Sequence, residues 1–372
     1  MRARLLFFVS LLVASGCSET ATTPGAQVGG GGASSGAVGN VAAGGVSAGG
    51  GGASGNGVGA SAGAGAAGAS AGTASGGAAG SGGAAQGPQT LGELYCPPAQ
   101  SYPNPLADAP EPAVVAIAPP GGISFLEGPV WLAERGVLLL SEWNDQHRIL
   151  QLTPPTTIEV FSPMSRSNGL IVTPDGMELL MATENPSASI SRLLLADKGI
   201  TPLVDEYQGQ GFVQPNDLTT RVDQTVFFTD YQAGRLYRLT SGGSVELLAS
   251  LPQANGVALS PDEQTLYLNA GERTVAYPLA RDSTIGEGQD LATGIDGADG
   301  LAIDCAGNIY IAENEGGSLV VVSPTGEPLG EFSGLPQTVT NAAFGGAERK
   351  TLYITTSSAL YSVELPIPGL PF

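Results

Sequence analysis

Soft metal ligands are almost missing from this chain. It has one histidine, His147, and three scattered cysteines, Cys17, Cys96 and Cys305. A zinc site built from His and Cys therefore has no ligand supply. A Ser-His-Asp triad would need His147, which the strand pattern below puts in a loop away from any shared axis. Basic residues are also few: 14 Lys and Arg stand against 34 Asp and Glu, a formal charge of −20. Such a surface repels phosphate backbones, which excludes nucleic acid as a partner, and it attracts divalent cations. After the N-terminus no apolar run is long enough to cross a bilayer. No helical period of useful length appears.

Residues 21–88 lack every charged and every aromatic side chain. They are Gly, Ala and Ser with scattered Thr, Val, Asn, Gln and Pro, and cannot bury enough apolar surface to offset chain entropy. The segment reads as a disordered, flexible tether with an r.m.s. reach of about 40–50 Å. Before it, Arg2 and Arg4 precede the apolar run Leu5 to Val13, and Ala14-Ser15-Gly16 leads into Cys17. This is the pattern of a lipoprotein signal peptide (1–16), with Cys17 as the lipidated first residue of the mature chain. The organisation expected is signal peptide 1–16, lipidated linker 17–90 and folded region 91–372. Lipid at Cys17 would be the sole membrane attachment, at the cell envelope, with Ser18 favouring the outer membrane. Cys96 and Cys305 are then candidates for a disulfide in an oxidising compartment, although spacing alone does not show that they meet.

From about residue 113 the chain repeats. A small polar pair opens an apolar strand, a turn follows, then a second apolar strand. The openings are Glu127-Gly128, Asn168-Gly169, Asn216-Asp217, Asn255-Gly256, Asp299-Gly300 and Asn341-Ala342, spaced 39–48 residues apart. That is the length of a four-stranded propeller blade, so the spacing predicts an all-β, six-bladed β-propeller. The sixth unit ends too early for an outer strand, and Ala113–Ala118 is placed to supply it and remove a sheet edge.

In a propeller the innermost strands line one channel, so residues tens of positions apart converge at one mouth. Glu127, Asn168, Asn216, Asp217, Asn255, Asp299 and Asn341 are brought together in this way. Three carboxylates and four amide oxygens are the donor set of a hard cation such as Ca²⁺. Taken singly, each Asn-Gly or Asp-Gly pair is an ordinary turn former; Pro174-Asp175-Gly176, Pro261-Asp262-Glu263 and Asp230 are read as turns only. Glu127 is different, because Glu is a poor turn residue.

The phrases Glu127-Gly128-Pro129-Val130-Trp131, Pro215-Asn216-Asp217, Asn255 to Asp262 and Asp299 to Asp304 resemble, in order and spacing, the gluconolactonase/regucalcin (senescence marker protein) family, the gluconolactonase/luciferin-regenerating-enzyme-like region. The resemblance covers roughly residues 120–365. Diisopropyl-fluorophosphatase-like and paraoxonase-like hydrolases share the architecture. The resemblance implies a divalent cation, Ca²⁺ first, with Mg²⁺, Mn²⁺ or Zn²⁺ also used in the family. Its ligands would be Glu127, Asn216, Asn255 and Asp299. It implies hydrolysis of a lactone or ester, with Asp299 as general base or as a ligand alone. Asn168 and Asp217 of the convergent set, with Glu184 and Tyr231, are candidate substrate contacts; Glu142, Trp143 and Glu313 also follow or end second strands. The chain departs from the family where members often carry an Arg two residues before the third-blade Asn. Here that residue is Gln214. The histidine that many bacterial members have after the second strand of blade two is replaced by Ala182-Thr183-Glu184-Asn185-Pro186. A calcium-bound scaffold without catalysis, or phosphotriester hydrolysis as a side activity, are the other functions open to such a chain.

Overall fold

Six four-stranded antiparallel sheets form a ring. The computed structural model describes residues 89–98, 101–184, 187–336 and 338–372; the signal segment, Cys17 and nearly all of the linker lie outside the described residues. The ring belongs to a contact unit running from Gly80 to Phe372. From the axis outwards, blade one is Leu126–Leu132, Val137–Glu142, Arg148–Thr153 and Thr157–Ser162. Blades two to five repeat the order, with inner strands Ser167–Val172, Pro215–Thr220, Ala254–Leu259 and Ala298–Ile303. Blade six begins with Val339–Gly345. Successive inner strands pack side by side, and blade six packs on blade one, closing the six-bladed propeller.

The inner strands are buried on both faces, so their sequences lack a polar side. Leu126–Leu132 is buried at every position. Apolar side chains of adjacent blades interlock between the sheets: Val130 and Leu139 meet Leu170 and Met181 between blades one and two. Tyr310 packs edge-on against Phe344, ring centroids 5.3 Å apart, between blades five and six. Burial at roughly 25 cal/mol per Å² of apolar surface makes these interfaces the source of cohesion, because a lone blade would leave both faces wet.

The ring is closed by chain from before the first repeat. Ala113 pairs with Ser362 and Val114 with Tyr361, so this short strand becomes the outer strand of blade six. Further upstream, helix Leu91–Tyr95 is capped by Thr90, whose side chain accepts from the Glu93 N–H. Cys96, at the end of that helix, forms a disulfide with Cys305 of blade five. Glu263, read from sequence as part of a plain turn, is buried instead. Its Oε1 accepts from the backbone N–H groups of Leu91 (3.2 Å) and Val222 (2.9 Å), and its Oε2 from Arg221 Nε (2.9 Å). It thus fastens the helix to blades three and four.

The last residues cross the end of the channel opposite the polar pairs. Pro371 O accepts from Trp131 N and Leu370 O from Phe344 N, while Leu370 N donates to Ile303 O. Phe372 packs against the apolar clusters of blades one and two, two and three, and three to five, which puts it near the axis. The channel is therefore closed at this end.

Candidate active site

The polar pairs are strand residues rather than turn residues. Each inner strand shifts register against its neighbour at the pair, for example between Glu127 and Val130, and between Ala298 and Leu301. The bulge turns the polar side chain towards the axis. The glycines follow because the next blade is too close for a side chain. A Cβ on Gly128 would lie 2.3 Å from Asn168 O, and one on Gly300 would lie 2.1 Å from Asn341 Cγ. In blade three Asp217 takes the glycine's place and spans the gap. Its Oδ1 accepts from its neighbour Leu218 N at 2.9 Å, and its Oδ2 from Val257 N of blade four at 3.4 Å.

The mouth opens on a cavity of about 420 Å³. Glu127, Asn168, Asn216, Asn255 and Asp299 all line it, so five of the seven predicted convergent residues share one space. The other two, Asp217 and Asn341, are buried outside the lining. Asn341 Oδ1 accepts from Ala342 N at 2.8 Å, and its side chain also bonds Asp217. Asp217, a candidate substrate contact by sequence, is thus occupied in holding inner strands together.

A second ring stands above this floor. The residue two before the polar one lies in the left-handed region in four blades: Phe125 (φ 62°), Arg166 (54°), Gln253 (59°) and Gly297 (69°). Phe125 is held there by its N–H to Ser357 O and its carbonyl to Trp143 N, each 3.0 Å. Phe125, Gln214, Gln253 and Gly297 line the cavity. So do the residues that directly follow second strands: Trp143, Tyr231, Gly271 and Asn314. Glu184 occupies the same place in blade two and accepts from Gln214 Nε2 (3.1 Å) and Asn168 Nδ2 (3.5 Å).

Glu142 and Glu313 do not belong to the mouth. Each is the last residue of its strand, one position earlier, and alternation turns it between the blades. Glu142 pairs with Arg148 and accepts from Ser124 N (2.9 Å). Glu313 accepts from Asp296 N (3.1 Å) and from the Ser318 hydroxyl. His147 sits in the loop after the second strand of blade one, also away from the cavity. Sequence reasoning passed over Phe125, Gln253, Glu272, Asp296, Asn314 and Glu315, although the position two before the polar residue was a readable signal.

The floor is short of positive charge. Burial pushes Asp299 up to about 7, with nearby Asp217 adding to it; bonds from Asn314 and Asn255 pull the other way. Asn314 Nδ2 lies 2.5 Å from Asp299 Oδ2. Burial, and then the charges of Asp299 and Asp217, push Glu127 well above the usual carboxylate range. Asp217 is likewise pushed up to about 7 by burial. Asn255 Oδ1 is buried without a hydrogen-bond partner. Two mutually repelling carboxylates and an unpartnered amide oxygen suit a hard cation. Among the described residues no group of three or more His, Cys, Asp or Glu could hold a metal. A cation here would depend on the asparagine oxygens.

Residues 125–358 match the family described as SMP-30/Gluconolactonase/LRE-like region. The chain belongs to this family. It is similar to a gluconolactonase of Zymomonas mobilis, 28% identical over 286 residues that cover 65% of this chain and 79% of the relative. The solved structure of a gluconolactonase from Xanthomonas campestris aligns with a TM-score of 0.62 and 26% identity, over 71% of this chain and 92% of that one. A calcium-binding regucalcin from Agrobacterium tumefaciens shares the fold, with a TM-score of 0.57 and 19% identity over 69% of this chain and 97% of that one. The matched span contains the polar residues of all six blades and stops before the segment that closes the far end.

Proposed function

We propose that this family member is a lactonase that opens a sugar lactone in the axial cavity with the help of one divalent cation. The observation that carries the reading is the sharing of one cavity by Glu127, Asn216, Asn255 and Asp299, drawn from four blades. Gluconolactonase relatives support the reaction class. Glu127, Asn216, Asn255 and Asp299 would hold the cation, and Ca²⁺ suits their all-oxygen set. When bound, it supplies Lewis-acid polarisation of the ester carbonyl.

The side chains have separate tasks. Asn314 and Asn255 fix the Asp299 carboxylate, which takes a proton from the attacking water. Water oxygen bonds to the carbonyl carbon, the ring C–O bond breaks, and the ring oxygen leaves with a proton as the hydroxyl of the open acid. Asn168, Gln214 and Tyr231 line the space that the substrate hydroxyls would fill, with Glu184 holding the first two in place. The reading of Cys17 as a lipid anchor would set this chemistry at the cell envelope.

Purified protein assayed on D-glucono-1,5-lactone, with and without a chelator, tests the reading. Chelator-sensitive ring opening is expected, restored by Ca²⁺ and lost in Asp299→Asn. Turnover indifferent to chelator and to Asp299→Asn would remove it.

A further inference from the structure

The charge around the mouth is lopsided in a way that the reaction itself does not require. Of the residues lining the cavity, Glu127, Glu272, Asp296, Asp299 and Glu315 are acidic, and none is Lys, Arg or His. A dication among Glu127 and Asp299 offsets the floor alone. Glu272, Asp296 and Glu315 are exposed at the rim of blades four and five, beyond those ligands. Arg166 holds the place of Phe125 in blade two but does not line the cavity. The two guanidinium groups nearest in sequence to the acidic rim also stay out of the cavity: Arg273 pairs with Asp290 at 3.0 Å, and Arg281 does not line it.

Opposite, blade one presents a neutral aromatic wall. Phe125 and Trp143 line the cavity with ring centroids 5.4 Å apart. Amides fill much of the rest: Asn168, Gln214, Asn216, Gln253 and Asn314. Amides bond hydroxyls in either direction, and an aromatic face covers the C–H side of a sugar ring. None of these groups compensates a phosphate, sulfonate or second carboxylate, whereas a carboxylate-lined cleft focuses a negative potential.

We propose that Glu272, Asp296 and Glu315 form an anion-excluding rim that restricts the site to uncharged or cationic polyhydroxy lactones and rejects lactones bearing a phosphate, sulfonate or carboxylate. The inference rests on the lactonase reading for its substrate and on the rim charges for its selectivity. The three carboxylates act through their field, by depressing the local concentration and entry rate of anions. The effect is therefore screened by salt.

The test compares kcat/KM for glucono-1,5-lactone and its 6-phosphate, at low and high ionic strength, in the wild-type protein and in Glu272→Gln/Asp296→Asn/Glu315→Gln. The neutral lactone is expected to be preferred by about tenfold or more at low salt. Salt should narrow the gap, and the triple variant should narrow it by raising the rate on the anion more than the rate on the neutral lactone. Equal rates on both lactones, or a gap that neither salt nor the variant alters, overturns the proposal. A parallel calorimetric comparison of glucitol with glucitol 6-phosphate keeps the two readings apart. If neither lactone turns over, the lactonase reading falls. Weaker binding of the phosphate, relieved in the triple variant, would then still support the rim, and equal or tighter binding would overturn it.

Discussion

At Asn255 the side chain divides its two ends. It bonds Asp299, and its Oδ1 is left without a partner. Asn255→Leu keeps the bulk and removes the oxygen. Loss of an outer-shell group typically costs 10–100-fold in metal affinity, so removal of a direct donor should cost Ca²⁺ affinity about that much or more. Calcium titration by calorimetry reads this out, and an unchanged affinity would take Asn255 out of the ligand set. Asp299→Asn should lower kcat on the neutral lactone by about 10²-fold or more, with near-native circular dichroism. Gly128 has a separate role. With φ at 44° and a neighbouring carbonyl 2.3 Å from where Cβ would sit, Gly128→Ala should destabilise the protein by about 1–3 kcal/mol in urea unfolding. The Asn-Gly and Asp-Gly pairs were visible as a repeat. The reason for the glycine was not, because it lies in the backbone of the next blade.

At the scale of elements, periodicity in the sequence located the blades and their closure. The recurring polar pairs marked inner strands, and the missing outer strand of the sixth unit pointed to Ala113–Ala118, of which Ala113–Val114 form it. Fine position was harder to read. The rule that residues after second strands reach the mouth holds for Trp143, Tyr231 and Asn314, yet Glu142 and Glu313 stand one residue too early and face Arg148 and Ser318. One residue of register reverses the face of a strand, and a sequence pattern fixes strand ends no better than that. Glu263 escaped notice for a related reason: its partners Leu91, Arg221 and Val222 come from elements that no local pattern connects. The disulfide Cys96–Cys305, spanning 209 residues, clamps the pre-ring helix to blade five. Cys96→Ser/Cys305→Ser should lower stability by about 2–5 kcal/mol. Thermal unfolding of oxidised and reduced protein should show the same drop.

For the whole molecule, stability is expected to depend on both ligand and pH. Ca²⁺ at 100 times its dissociation constant should add about 2.7 kcal/mol if only the folded ring binds it. A calcium-dependent rise in Tm, abolished by chelator, checks this. Burial pushes Tyr95 and Tyr267 up to about 12. In the unfolded chain tyrosine ionises near pH 10, about two units lower. The folded state therefore holds these protons longer. Their contribution is complete below about pH 10 and is lost as pH rises through about 12. Urea midpoints should fall across that window, and Tyr95→Phe/Tyr267→Phe should flatten the fall. The segment that ends in Phe372 bears on traffic through the ring. With the far end stopped by the chain itself, arrivals and departures share a single doorway. A long polymer cannot thread through the ring, and a small molecule must back out the way it came.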